Sequence, residues 1–168
     1  MNNIEKIMRG IVQRYSHERY WKYRNIVINK ENNVPKAIKE FLLYRIKRMD
    51  AFNNASMGTH INQGAVFDEN PHFPHGINGI IVSHNAHIGR NCTIFHQVTI
   101  GENDKGAPVI GDNCLIGAGA KIIGNISIGN NVKIGAGAVV FRDIPDNCTV
   151  VINEPRIILN KSVGKNRF

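Results

Sequence analysis

The chain has 168 residues, of which 42% are hydrophobic, and it carries 21 Lys and Arg against 13 Asp and Glu. That length buries one core, with room for an appendage, and excludes an array of large domains. No apolar run approaches the ~20 residues a membrane span needs. The charge-interrupted opening MNNIEKIMRGIVQR has no secretory hydrophobic region. Cys92, Cys114 and Cys148 lack metal-type spacing and cannot all pair within one chain, so reduced thiols in a cytoplasmic protein are expected.

The first third reads as helical and basic. Residues 1–60 hold 12 basic and 5 acidic side chains, a net of +7, whereas residues 61–168 hold 9 and 8, a net of +1. IEKIMRGIVQRY and HERYWKYRNIVI have helical character. PKAIKEFLLYRIKRM places Pro35 at a helix start, with Ile38, Leu42, Ile46 and Met49 on one face. AFNNASMG ends this part, giving a helical region over 1–55. A basic face attracts polyanions or an anionic membrane surface, or is merely solvated. With Tyr20, Trp21 and Tyr23 it is a candidate for resting near the inner face of a membrane.

From Ile61 the period becomes six. Ile61, Phe67 and Phe73 are followed by Val82, Ile88, Ile94 and Ile100, then by Ile110, Ile116, Ile122, Ile128, Ile134 and Val140. The rhythm breaks twice, after Phe73 (82 − 73 = 9) and after Ile100 (110 − 100 = 10). Neither a helix nor ordinary strand alternation produces a six-residue period. Short repeats of this kind indicate a parallel β-helix of about 18 residues per coil, stacked near the ~4.8 Å strand spacing. Three inward ladders are expected: Ile61/Val82/Ile100/Ile122/Val140, Phe67/Ile88/Ile110/Ile128 and Phe73/Ile94/Ile116/Ile134. The Gly that follows the aliphatic at 89, 101, 111, 117, 129 and 135 is expected to supply the corner φ. Cys92 and Cys114 fall where Ala120 falls in its hexad and read as small core fillers. A solid prism leaves no interior room for a ligand, so chemistry belongs at the two interruptions, HGINGI and GENDKGAP.

The run VTIGENDKGAPVIGDNCLIGAGAKIIGNISIGNNVKIGAGAVVFRDIPDNCTVV resembles hexapeptide-repeat acyltransferases, most closely the serine acetyltransferase branch. That branch includes enzymes acting on serine and on capsular or exopolysaccharide sugars. The resemblance spans roughly 55–158 and implies a mainly β, left-handed parallel β-helix domain over 56–158, followed by a basic tail, 159–168. It also implies a homotrimer with active sites between subunits and acetyl-CoA as co-substrate, with no metal. By the same resemblance His75 is the general base. A neutral imidazole can take the proton of an acceptor hydroxyl as it attacks the thioester. The three extra residues beside His75 would swing it off the flat face. His96, two residues after Ile94 as His75 is two after Phe73, should stack one rung away. For coenzyme A the resemblance carries over to Gly101, Ala118, Lys133 and Ala136, with Lys121 a second candidate for phosphate, and loop 102–107 would reach over the thioester region.

Four positions depart from the serine-acetylating pattern: His60 and Pro74 stand where the family has Asp, Ala107 where it has His, and Gly106 where it has a basic residue. These departures lead the sequence reading to a saccharide hydroxyl as acceptor, with L-serine as the alternative. His60, Asp68, Glu69 or a backbone carbonyl are the candidates for orienting His75. Two rival classes are set aside. A zinc site of the gamma-carbonic-anhydrase kind would need a His-x4-His pair, which HFPH and HNAH do not provide, and nucleic-acid binding lacks an aromatic platform. A non-catalytic scaffold would release no thiol from acetyl-CoA.

Overall fold

The computed structural model describes residues 11, 12 and 14–154. Helix α1 (His17–Ile28) follows Ser16, and α2 (Lys36–Phe52) follows Pro35, which supplies a preset φ of −54° at the helix start. Two of the helical expectations thus hold. The stretch IEKIMRGIVQRY, the tail 159–168 and most of NEPRII lie outside the described residues. No described helix is long and apolar enough to cross a membrane.

The remainder is a parallel β-solenoid of about four turns. Its first face stacks β1 (Ser56–Met57), β5 (Ile81–Val82), β8 (Thr99–Gly101), β11 (Lys121–Ile123) and β14 (Val139–Val140). The second stacks β4 (Val66–Phe67), β6 (His87–Ile88), β9 (Val109–Ile110) and β12 (Ser127–Ile128). The third stacks β7 (Thr93–Ile94), β10 (Leu115–Ile116), β13 (Lys133–Ile134) and β15 (Thr149–Val150). A hairpin of β2 (Thr59–His60) and β3 (Gln63–Gly64) stands apart from these faces.

The second and third ladders form as the hexads require. Phe67, Ile88, Ile110 and Ile128 are in register, as are Ile94, Ile116 and Ile134, with Phe73 joined through the His72–Thr93 bridge. Ile144 and Val150 each add a further rung. The first ladder differs at its foot, because Met57, not Ile61, lies beside Val82. Ile61 and Asn62 form the turn of the β2–β3 hairpin. Asn62 N–H donates to the Val27 carbonyl at the end of α1 (2.9 Å), and its side-chain oxygen accepts from Lys39 Nζ (2.7 Å). The helices therefore pull this turn out of the hexad path.

The glycine expectation is corrected as well. None of the six glycines after a ladder aliphatic has a positive φ. Their missing side chain makes room for the next coil: a Cβ on Gly117 would sit 2.6 Å from the Ala136 nitrogen. At the edge between the second and third faces the left-handed residues are Asn91, Asn113, Asn131 and Asn147, with φ of 52°, 59°, 57° and 61°. Asn tolerates this region because its short polar side chain bonds locally. Here the amides also bond between coils, Asn91 Nδ2 to Asn113 Oδ1 (2.8 Å) and Asn131 Nδ2 to Asn147 Oδ1 (3.0 Å). Cys92 and Cys114 are both buried in the core, their thiols directed at the carbonyls of Gly111 and Gly129.

An open coil end would expose Phe67 and Phe73, and α1 covers it. Trp21 meets Phe67 edge-on at 4.9 Å and stacks on Phe73 at 6.4 Å and 11°. Tyr20 and Trp21 are 0% and 1% exposed, so they belong to this cap and offer nothing to a membrane surface. Arg24, also buried, lies over the rings of Trp21 and Phe67 and donates to the carbonyls of Met57 and Ala65 and to Thr59 Oγ1. On α2, Ile46 is buried and Leu42 and Met49 partly so, but Ile38 is 49% exposed. The inward positions next to Ile46 are taken by Lys39 and Asp50, the latter accepting from Tyr20 Oη at 2.7 Å.

Two outcomes follow from this cap. Arg24→Ala leaves several buried acceptors unpaired and is expected to lower stability by on the order of 3 kcal/mol in urea unfolding. Burial pushes the Asp50 carboxyl from 3.8 up to about 6, against the smaller opposing effects of the Tyr20 hydrogen bond, Lys47 and Arg24. A raised carboxyl favours the folded state fully below its unfolded value and loses that contribution as pH rises through about 6. Between pH 4 and 7, wild type should therefore lose roughly 2–3 kcal/mol of stability that Asp50→Asn does not lose, measured as the difference between their urea midpoints.

Candidate active site

Nine residues separate Phe73 from Val82 where six suffice, and the surplus forms a turn over residues 74–79. Ile77 returns to the core, completely buried, while Gly76 and Gly79 take φ of 72° and 66°. Gly79 N–H donates to the Asn53 carbonyl (2.8 Å) and Gln97 N–H to the Asn78 carbonyl (2.9 Å). The turn is thus tied at both sides, and His75 projects from it, exposed, at the edge between the third and first faces.

His96 lies on the next coil at the same edge. Its ring and that of His75 are 5.3 Å apart between centroids and inclined at 76°, and Phe95 flanks His75 at 5.8 Å. His96 Nδ1 is buried with no hydrogen-bond partner among the described residues. The column continues upward: Gly119 N–H donates to the His96 carbonyl (3.0 Å) and Gly137 N–H to the Ala118 carbonyl (2.8 Å). Gly119 and Gly137 each have a φ of 70°, and no atom lies within 4 Å of the point a Cβ would occupy. Above the two histidines the edge is therefore open and lined by small residues, including Ala118 and Ala136. Lys133 on the third face and Lys121 on the first flank it, both exposed.

Gly101 is not brought to this edge. It ends β8 at the opposite side of the first face. Loop 102–107 springs from there as a tight hairpin, with Asn103 and Gly106 exchanging backbone hydrogen bonds of 3.0 and 3.2 Å. At this second edge the structure gathers a group that the sequence did not announce as one. His60 and His84 meet edge-on at 5.5 Å, and His84 Nδ1 is 3.7 Å from Glu102. Glu102 accepts from Asn85 at 2.7 Å, which holds its carboxyl below the usual range. Burial, then Lys47 and His84, lowers His60.

The carboxylates named as candidates for orienting His75 are engaged elsewhere. Asp68 pairs with His87 at 2.9 Å, and Glu69 accepts from Asn91 N–H at 3.1 Å. His60 likewise belongs with His84. No group of three or more His, Cys, Asp or Glu among the described residues is placed to hold a metal ion.

Residues 107–142 match the family described as bacterial transferase hexapeptide (six repeats). The serine acetyltransferase of Synechococcus elongatus is 41% identical over 110 residues, 63% of this chain and 45% of that protein. The chain thus carries hexapeptide repeats and is similar to serine acetyltransferases. The serine acetyltransferase of Bacillus pumilus is 38% identical over 66% of this chain and 52% of its own length. Among solved structures, the serine-bound enzyme of Neisseria gonorrhoeae is 34% identical with a TM-score of 0.56, covering 85% of this chain and 53% of that one. The hexapeptide chain described here thus spans about half the length of the curated relatives it matches.

Proposed function

We propose that this chain transfers an acetyl group from acetyl-CoA to an alcohol hydroxyl, with His75 as general base. The observation that carries the reading is the meeting of His75 and His96 at the foot of an open edge of small residues. His75 in its neutral form takes the proton of the acceptor hydroxyl as the oxygen bonds to the thioester carbonyl carbon. The carbon–sulfur bond then breaks, and the same imidazolium returns the proton to the departing thiolate, yielding an acetyl ester and free thiol without an acyl-enzyme. His96 and Phe95 restrict the ring from two sides. The pantetheine arm would run along Ala118 and Ala136, where no side chain obstructs the backbone, with Lys133 and Lys121 available to phosphates.

Gly101 and loop 102–107 lie on the other edge of the first face and join such a site only from a neighbouring copy. This supports a homotrimer with sites between subunits. The outward Ile81, Val109, Leu115 and Val139, all partly exposed in the single chain, are suited to a subunit interface. An acetyl-CoA-dependent reaction of this kind fits a cytoplasmic protein.

The relatives are named serine acetyltransferases, which favours L-serine over the sugar acceptor inferred from the sequence. A saccharide hydroxyl is kept as the second reading on one observation. At Gly106 and the buried Ala107 the hairpin carries neither a basic side chain nor an imidazole, the two groups the serine-acetylating pattern has there; its basic residue is the exposed Lys105, one position earlier.

His75→Ala is expected to lower turnover at least ~100-fold while leaving the assembly state in light scattering unchanged. Retained turnover removes His75 from the role. Thiol release from acetyl-CoA across L-serine, homoserine, nucleotide sugars and oligosaccharides separates the acceptors. Release with serine alone supports the first reading, release with a saccharide alone supports the second, and release with none overturns both.

A further inference from the structure

We propose that the cleft between α1 and α2 is a binding site for a phosphate-bearing anion, separate from the histidine edge and independent of the acetyl-transfer reading. The cleft has a volume of about 590 Å³ and is lined by Arg14, Arg19, Arg45 and Arg48, with Tyr23 and Phe52 as aromatic wall. That volume lies within the ~300–1,000 Å³ usual for small-molecule sites.

Helical spacing builds it. Ser16, Arg19 and Tyr23 fall on one face of α1, and Arg45, Arg48 and Phe52 on one face of α2, so the two stripes converge. Among the described residues four guanidinium groups share the cleft and no carboxylate lines it. Asp50, two residues after Arg48, is turned inward onto Tyr20, and Glu18, beside Arg19 in sequence, does not line the cleft. None of the four arginines makes an ion pair among the described residues. Two are held in place by rings: Arg14 lies 4.9 Å over Phe52, and Arg48 lies 5.9 Å over Tyr44. Gathering like charges opposes folding unless an anion compensates them, and stacked guanidinium forks suit the bidentate geometry of phosphate oxygens. The cleft is larger than a single phosphate needs and has an aromatic side, which fits a diphosphate or a phosphate ester carrying a further group. This surplus accounts for part of the +7 of residues 1–60.

The test is calorimetric titration of the full chain with inorganic pyrophosphate, alongside flotation with phosphatidylcholine vesicles containing phosphatidylglycerol. Wild type should bind one pyrophosphate per chain. Arg45→Gln/Arg48→Gln should weaken that binding at least ~10-fold, on the scale of one charge-assisted hydrogen bond, and Arg19→Gln should weaken it as well should the double variant fail to fold. Lys121→Ala/Lys133→Ala should leave it unchanged. Pyrophosphate that displaces the chain from vesicles identifies a lipid headgroup as the source, and binding without vesicle association identifies a free phosphate compound. The proposal is overturned by an absence of pyrophosphate binding, by equal binding in the arginine variants, or by loss of binding in the lysine variant alone.

Discussion

The structure depends on a single constraint: each coil hydrogen-bonds the coil below it in register, with one aliphatic column per face closing the interior. Ile88, Ile110 and Ile128, or Ile94, Ile116 and Ile134, must arrive at the same angular position on every turn. A residue added within a strand would shift every later side chain out of its column and expose it, at the cost of burying a methylene-rich side chain, about 2 kcal/mol each. Added residues are therefore accommodated only at edges, and there they must leave the prism. The β2–β3 hairpin, the turn over 74–79 and the hairpin at 102–107 are places where this happens, and His75 rides on the second. Within the solenoid, the solid core leaves the edges for polar side chains to converge.

The same constraint leaves a coil end that needs covering. The helices meet this need with aromatic bulk, Trp21 on Phe67 and Phe73, and with one buried cation, Arg24, whose donors satisfy carbonyls at the foot of the solenoid. The basic surplus of the N-terminal third is consequently of two kinds. Arg24 and Lys39 face inward and act as structural donors, whereas Arg14, Arg19, Arg45 and Arg48 face a cleft. Composition alone cannot separate these kinds, because burial of a charge depends on which carbonyls the fold brings beside it.

The candidate site is divided between two edges of the first face. His75 and His96 occupy one, with the small-residue column above them. His60, His84, Glu102 and the 102–107 hairpin occupy the other. Within a single chain these edges do not meet, and the proposed homotrimer would bring them together between copies. The stacking of His96 on His75 was legible because both stand two residues after a ladder position. The His60–His84 pair was not legible, since His60 belongs to the hairpin that leaves the hexad path. The corner asparagines carried a signal that hexad counting passes over: Asn91, Asn113, Asn131 and Asn147 each precede a third-ladder residue by three, which is a column of left-handed positions bonded coil to coil.

Sequence by itself determined the β-helix, two of its three ladders, the edge on which His75 sits and the small residues above it. A six-residue rhythm admits one efficient way of burying its aliphatics, so the β-helix, its ladders and the break beside His75 follow from local spacing, whereas Ala118 and Ala136 were picked out by the family resemblance. Only the tertiary structure decided the rest. It put Met57 where Ile61 was expected, because Lys39 and the end of α1 hold the Ile61–Asn62 turn, through contacts between residues 23 and 35 positions apart (62 − 39 = 23, 62 − 27 = 35). It gave the ladder glycines a steric task and gave the φ to asparagine, because the tightest approach lies between coils rather than along the chain. It also paired Asp68 with His87 and Glu69 with the Asn91 backbone, since cross-coil partners at a prism edge are set by stacking, which no single hexad contains.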